Sequence, residues 1–232
     1  MNGFPDLQQT TKLLADQSRL EILTLLMDGT FHTVHEIAQA VKIKDQTASY
    51  HLKKLEALEW VTYYKQGRHV YYQLINPAVA ELLESLMLIS PVKKISSYNQ
   101  NKEYQELKCG RTCYHHLAGA LGVTFFDFLI AKNYLILANN QVELTHEGLL
   151  FLNRIEIDTN EVKKKAGIFA KPCLDWTERT FHLGGNLGKA FLEMIIRKEY
   201  IYQNSDNRSV TLTRAGENFF SSFHWKISVH KN

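Results

Sequence analysis

The chain has 232 residues, 45% of them hydrophobic, 22% charged and 11% aromatic, with a formal net charge of +3. This composition excludes disordered, collagenous and coiled-coil chains, and at roughly 150 residues per domain the length predicts one or two domains, each with its own core. No apolar run approaches the ~20 residues of a membrane helix, and three cysteines are too few for a disulfide framework. The first six residues carry neither the basic segment nor the apolar stretch of a secretion signal, so the expectation is a cytoplasmic protein with no membrane partner.

The charge is unevenly spread. Residues 1–90 hold eight Lys/Arg against ten Asp/Glu, and residues 91–232 hold nineteen against fourteen. Within the first part, residues 41–72 concentrate six basic side chains (Lys42, Lys44, Lys53, Lys54, Lys65, Arg68) against three acids (Asp45, Glu56, Glu59). Such a local excess attracts phosphates without making the whole surface sticky, and it equally describes a solvated face.

In chain order, the apolar residues from Leu13 to Leu26 predict helices, punctuated around 16–18 and stopped near Asp28-Gly29. Thr33 and Glu36 have capping-box spacing ahead of an apolar face of Ile37, Ala38 and Val41. A short polar connection over 42–44 leads to Asp45, which reads as the N-cap of a helix to about Glu59. In that helix Ala48, Leu52, Leu55 and Leu58 form one buried stripe, with Gln46, Thr47, Ser49, Tyr50, Lys53 and Lys54 largely off it. Two aromatic and β-branched runs, Val61–Lys65 and His69–Leu74, flank Gln66-Gly67-Arg68 and predict a hairpin. Pro77 opens another helix, to about Ile89.

Helix, helix, tight turn, helix and hairpin is the order of a winged helix-turn-helix. A recognition helix needs short polar side chains near its N-terminus to reach base edges in the major groove. Gln46, Thr47, Ser49 and Tyr50 supply them, with His51 assisting, while Lys53 and Lys54 suit phosphates. Lys65, Gln66, Arg68 and His69 give the wing a basic tip. The expected partner is double-stranded DNA. The plain alternative is an amphipathic helix packed on a hairpin with no ligand.

The stretch Ala15-Asp-Gln-Ser-Arg-Leu-Glu-Ile-Leu-Thr-Leu-Leu26 resembles the opening motif of the ArsR family of bacterial transcription regulators. Asp45-Gln-Thr-Ala-Ser-Tyr-His-Leu-Lys-Lys-Leu55 resembles that family's recognition helix, and Gly67 to Tyr72 its wing, so the resemblance covers about residues 6–90. It implies a homodimer paired through the first and last helices, here roughly 5–14 and 77–89, bound to a pseudo-palindromic operator that it usually represses. Two-fold symmetry then requires half-sites about one helical turn, or a multiple, apart. The Cys-x-Cys metal site of many members has no counterpart in Thr33–Ala38, and Ala78–Ile89 offers Glu81 and Glu84 but no histidine. Metal sensing at those two places is therefore not carried over. His32, His35 and Glu36 could ligate a borderline metal, but they read as exposed polar positions.

Residues 91–108 are polar and read as a linker. Beyond them the chain repeats itself: His116-Leu-Ala-Gly-Ala-Leu-Gly122 returns as His182-Leu-Gly-Gly-Asn-Leu-Gly188, and Val142-Glu-Leu-Thr-His-Glu-Gly148 as Val210-Thr-Leu-Thr-Arg-Ala-Gly216. Each copy reads as a glycine-containing helical segment, a further helix, a hairpin and a last helix. The expected fold is mainly α with small β-hairpins (α+β). It comprises an N-terminal winged helix-turn-helix over 1–90, a linker over 91–108, and winged-helix-like repeats over 109–160 and 161–232. Gly119, Gly122, Gly185 and Gly188 sit in helical patterns at a cost of ~1 kcal/mol each. They predict close packing between repeats or across a dimer, or else the floor of a small-molecule pocket.

Polar residues gather at the same place in both copies: Cys109, Arg111, Cys113, His115 and His116 in the first, Cys173, Asp175, Trp176, Glu178, Arg179 and His182 in the second. Read as a helix, the first copy puts Cys109 and Cys113 on one face and Cys113 and His116 three residues apart. Thiolate and imidazole at such spacing suit zinc or another soft metal. A thiol beside Arg and His also suits a redox sensor, and cysteine is often simply a small buried residue. Cys109, Arg111, Cys113, His116, Cys173, Asp175 and His182 are thus the candidate effector, metal or thiol site, with the cofactor left open. Arg111–Gly122 and Cys173–Gly185 also resemble the C-terminal extension of a larger branch of the same family, with His115 where that branch commonly has an acid.

The expected function is a DNA-binding transcription regulator, a repressor, and not an enzyme. One alternative is a thiol-dependent enzyme using Cys113 with His116 or His182 as base. No nucleophile elbow, phosphate loop or carboxylate pair accompanies those residues. The other is an interaction adaptor that no longer binds DNA.

Overall fold

A computed structural model describes residues 4–204 and 206–222. The chain divides into two units, the first ending at Leu83 and the second beginning at Glu84. That division falls inside a helix, seven residues before the boundary expected at 90.

The first unit runs α1 (Leu7–Leu14), α2 (Gln17–Leu26), β1 (His32–Thr33), α3 (Val34–Val41), α4 (Asp45–Glu56), β2 (Val61–Gln66), β3 (His69–Leu74) and the start of α5 (Pro77–Ile89). Asp6 and Asp16 cap α1 and α2 by accepting from the Gln9 and Arg19 amides. Thr33 and Glu36 form the predicted capping box at α3. The chain then turns at Lys42, which is left-handed at φ 59°. Lys44 occupies the N-cap of α4 without a side-chain cap bond, so Asp45 is the first helical residue and not the cap. Its carboxylate instead lies 3.1 Å from Nδ1 of His35. The helix ends at Glu56, short of Glu59, which is itself left-handed at φ 56°.

Ala48, Leu52 and Leu55 of α4 are fully buried with Ile22, Leu23, Leu26 and Ile37. Each buried leucine contributes about 2 kcal/mol of transfer free energy. Leu58, expected in the same stripe, lies beyond the helix and is half-buried. Strands β2 and β3 pair antiparallel from Val61↔Leu74 to Gln66↔His69. The two-residue turn between them needs φ +59° at Gly67, which glycine adopts without strain. Strand β1, too short to be legible in the sequence, adds to β3 through His32↔Tyr72 and Thr33↔Tyr71.

The second unit takes the rest of α5 and continues with α6 (Tyr98–Cys109), which fills most of the stretch expected as a linker. There follow β4 (Arg111–Cys113), β5 (His116–Ala118), α7 (Gly119–Ala131), β6 (Leu135–Ala138), β7 (Gln141–Leu144), α8 (His146–Arg154) and α9 (Thr159–Lys164). Then come β8 (Lys171–Leu174), β9 (Phe181–Gly184), α10 (Gly185–Arg197), β10 (Ile201–Gln203), β11 (Val210–Leu212) and α11 (Arg214–Ser222). Each successive strand pair, from β4–β5 to β10–β11, is a two-stranded antiparallel sheet.

The segments at His116 and His182 are strands, not the first part of a helix. Gly119 and Gly185, at φ +73° and +76°, end those strands and start α7 and α10. Gly122 and Gly188 are the interior glycines. A methyl group there would come within 2.3 Å of the Leu117 and Leu183 carbonyl oxygens. On the same sides it would meet the β-carbons of His182, at 3.4 Å, and His116, at 3.1 Å. The glycines thus let each helix press on the strand leading into it and on the histidine of the other hairpin. At the centre of the common core, the rings of Phe125 and Phe191 stack with centroids 3.6 Å apart. Among the described residues no helix is long and apolar enough to cross a membrane.

Candidate functional site

Helix α4 divides cleanly by exposure. Gln46, Thr47, Tyr50, Lys53 and Lys54 are exposed and Ser49 is half-exposed, while the apolar stripe faces the core. The Lys54 ammonium rests 4.4 Å from the centre of the Tyr50 ring, which holds both at the surface. Lys65, Gln66, Arg68 and His69 are all exposed around the tip of the β2–β3 hairpin. The polar face and the basic tip therefore exist as surfaces open to a ligand.

His51 is the exception to the expected set. It shares the buried face with Ala48, Leu52 and Leu55 and is only 7% exposed, so it does not point outward with its neighbours. Its Nδ1 lies 3.5 Å from the Arg19 guanidinium and 3.9 Å from the Asp16 carboxylate. Burial pulls its pKa below the ordinary value, with the Arg19 and Lys54 charges acting the same way and Asp16 opposing them. Arg19 in turn donates to the Leu13 and Lys12 carbonyls at 2.8 and 3.0 Å. This Asp16–Arg19–His51 group ties the end of α1 and the start of α2 to α4. Its signal in the sequence is a charged pair three residues apart, Asp16 and Arg19, ahead of the leucine-rich part of the opening motif.

His32, His35 and Glu36 do not converge. His32 is buried and not exposed as expected, with Nε2 2.6 Å from Oδ2 of Asp28. Burial lowers its pKa, but the hydrogen bond and charge of Asp28 outweigh that and raise it overall. His35 stays exposed between Asp45 and Gln39. Glu36 is occupied by the Thr33 amide and hydroxyl, which hold its carboxyl below the usual range.

In the second unit the predicted polar residues come together through hairpins. Cys113 sits opposite His116 across β4–β5, and Cys173 opposite His182 across β8–β9. The two sulfurs are 4.0 Å apart, and Nε2 of His182 is 3.2 Å from Nδ1 of His116. One donor atom from each of the four lies within 4.8 Å of all the others. Cys113 and His182 are buried, His116 and Cys173 half-buried.

Cys109 stands apart at the end of α6, and Gly110 separates it from β4. The helical face expected for Cys109 and Cys113 does not form. Burial pushes the Cys109 thiol pKa up.

Arg111 and Asp175 back the cluster instead of joining it. Both side chains are fully buried and paired at 3.0 Å, with the guanidinium 4.5 Å from the centre of the Trp176 ring. Asp175 accepts from the amides of Gly119, Thr177 and Glu178 and from the Thr177 hydroxyl. Its Oδ2 also faces Nδ1 of His182 at 3.3 Å. Burial alone would raise the Asp175 pKa, but His182, Arg111 and Thr177 hold it well below the usual carboxylate range.

His182 is lowered by burial yet raised to about 9 by Asp175 and Cys173. The hydrogen bond from Cys113 brings Cys173 down to about 5 against burial, with His182 adding to the effect. Cys113 rises well above the ordinary thiol value through that same bond and its burial. Burial, then the neighbouring His182, pushes His116 well below the usual imidazole range.

The sequence pattern of the bacterial regulatory protein arsR family matches residues 16–63, from the cap of α2 into β2. The uncharacterized HTH-type transcriptional regulator YdfF of Bacillus subtilis (strain 168) is 38% identical over 225 residues, covering 97% of this chain and 99% of that protein. This chain belongs to the arsR family of bacterial regulatory proteins. As a family member it is a DNA-binding transcriptional regulator. The arsenical resistance operon repressor of Staphylococcus aureus is 32% identical over 88 residues, 38% of this chain and 84% of that protein. The cadmium resistance regulatory protein CadC homolog of the same species is 33% identical over 84 residues, 36% of this chain and 69% of that protein. Those two matches span little more than a third of this chain, whereas the YdfF match spans nearly all of it.

Proposed function

We propose that the protein is a cytoplasmic repressor that binds a pseudo-palindromic operator as a homodimer and is released by a signal received in its second unit. The observation that carries this reading is the division of α4: its polar and basic positions named for DNA, except His51, are exposed or partly exposed, while the leucines anchor the helix. Gln46, Thr47, Ser49 and Tyr50 read base edges; Lys53, Lys54, Lys65, Arg68 and His69 hold phosphates and the wing. Pairing through the first and last helices is supported by the exposed apolar side chains Phe4 just before α1, Leu7 on α1, and Leu82 and Ile89 on α5. The duplicated, winged-helix-like reading of the C-terminal region rests on element order. Hairpin, helix, hairpin, helix over 111–154 recurs over 171–222.

The test is a gel-shift series on a fragment from upstream of the protein's own gene. Ser49→Ala relaxes discrimination between operator and scrambled sites by about 1–3 kcal/mol. Lys65→Ala weakens both alike and reduces the salt slope by about one. Identical effects of the two changes on specificity overturn the division of roles. Failure of the unaltered protein to shift any such fragment favours the adaptor reading. The thiol-enzyme alternative is disfavoured because Cys113 is 3% exposed and its pKa is raised, the opposite of an activated nucleophile.

A further inference from the structure

We infer that Cys113, His116, Cys173 and His182 form a closed, four-coordinate site for one divalent ion of the zinc class. The inference does not depend on the operator reading, since metal content is measured without DNA.

The donor spacings carry it. In a tetrahedral site with Zn–S of about 2.3 Å and Zn–N of about 2.05 Å, the sulfur–sulfur edge is about 3.8 Å and the nitrogen–nitrogen edge about 3.3 Å. Here those two edges measure 4.0 Å and 3.2 Å. The two sulfurs are not bonded to each other, since bonded sulfurs are about 2.05 Å apart. Two thiolates and two imidazoles converging on one point are a donor set for zinc or a similar borderline ion, and not for magnesium or calcium. Among the described residues this is the one group of three or more such side chains that converges.

The surroundings orient the donors. Asp175 faces Nδ1 of His182 at 3.3 Å, which leaves Nε2, on the side of His116, as the ligand nitrogen. A carboxylate behind a ligating histidine is the usual device for fixing its tautomer and direction. Asp175 is itself held by three backbone amides, the Thr177 hydroxyl and Arg111, so it cannot swing in to become a ligand. Gly188 and Gly122 carry no side chain where His116 and His182 pass, and this lets both rings reach the same point. Each hairpin contributes one sulfur and one nitrogen, so the ion joins 111–118 to 171–184. With four protein donors and no open position, the ion holds structure and does not process a substrate.

The full-length protein, purified under reducing conditions without chelator from zinc-supplemented culture, is expected to carry about one zinc per chain by mass-spectrometric metal analysis. Cys173→Ser and His116→Gln lose most of it, and Cys109→Ser keeps it. Because a ligand variant can fail to fold, the unaltered protein is also stripped and titrated with cobalt. The expected spectrum has strong visible bands of tetrahedral cobalt and thiolate charge transfer, saturating at about one equivalent. Chelation lowers the melting temperature and zinc restores it. Three results would each overturn the inference: a pale octahedral cobalt spectrum, full zinc occupancy in the Cys113→Ser/Cys173→Ser double variant, or a Cys113–Cys173 disulfide in protein isolated under reduction.

Discussion

Asp175→Ala is the most demanding test of how the second unit is held together. The Arg111–Asp175 pair is 3.0 Å long, and both side chains are 0% exposed. Removing the carboxylate strands a guanidinium whose other contacts are the Leu107 carbonyl, the Thr177 hydroxyl and the Trp176 face. Breaking one side of a buried pair costs about 3–5 kcal/mol, because the remaining charge is desolvated without compensation. The Gly119, Thr177 and Glu178 amides, the Thr177 hydroxyl and His182 lose their partner as well, but they share the same cavity, so their cost is not added in full. A loss of about 4 kcal/mol is a large part of the 5–15 kcal/mol typical of a domain. At a urea slope of about 2 kcal/mol/M it lowers the midpoint by about 2 M.

The assay is urea denaturation of chelator-treated protein, read by hydrogen–deuterium exchange in peptides covering 111–118 and 171–184. Working without metal separates the ion pair from any bound ion. The double variant Arg111→Met/Asp175→Leu removes both charges and is expected to recover most of the loss. A cost below about 1 kcal/mol for Asp175→Ala, or a double variant no better than the single, refutes the claim that an orphaned charge sets the penalty.

Gly188→Ala sets helix propensity against sterics. Propensity alone predicts a gain of ~1 kcal/mol, but the new methyl lies 2.3 Å from the Leu183 carbonyl oxygen. The expected net is a loss of about 1–3 kcal/mol, seen as a lower melting temperature; an unchanged or higher one contradicts the contact. His32 supplies a pH dependence in the first unit. Its pKa is raised in the folded state, so its stabilisation is fully present below the unfolded value of about 6.5 and is lost as pH rises through the folded value. The stability difference between the parent and His32→Gln is therefore expected to shrink from pH 6 to pH 8 by urea titration; a difference that grows reverses the sign of the argument.

The DNA-binding part of the fold was legible because its signals are local. The Thr33–Glu36 capping box, the α4 stripe from Ala48 to Leu55 and the glycine turn at Gly67 each span a few residues and form as the spacing predicts, while Leu58 falls past the helix end. The failures in that part come from tertiary partners. Nothing near Asp45 announces that His35 will take its carboxylate, and nothing near His51 announces Arg19, 32 residues away.

The second unit was legible in residue type but not in geometry. His116-Leu-Ala looks helical beside its apolar continuation, but the positive φ of Gly119 ends a strand there. Residue type and repetition single out the four donors in the sequence. Their convergence depends on cross-strand pairing and on Cys113 meeting Cys173, 60 positions away, which no local periodicity encodes.

Glu84 gives the helix α5 a practical meaning. Its carboxylate accepts from Arg208 at 2.7 Å, with both side chains almost wholly buried. Residue 84 therefore belongs to the body that follows it, even though the helix begins in the body before it. A gene fragment that starts at residue 91, where composition invites the cut, leaves Arg208 inside its protein with its counter-charge on the discarded piece. Dissection of this regulator into working halves has to begin upstream of Glu84, so the two halves share α5 instead of dividing at its end.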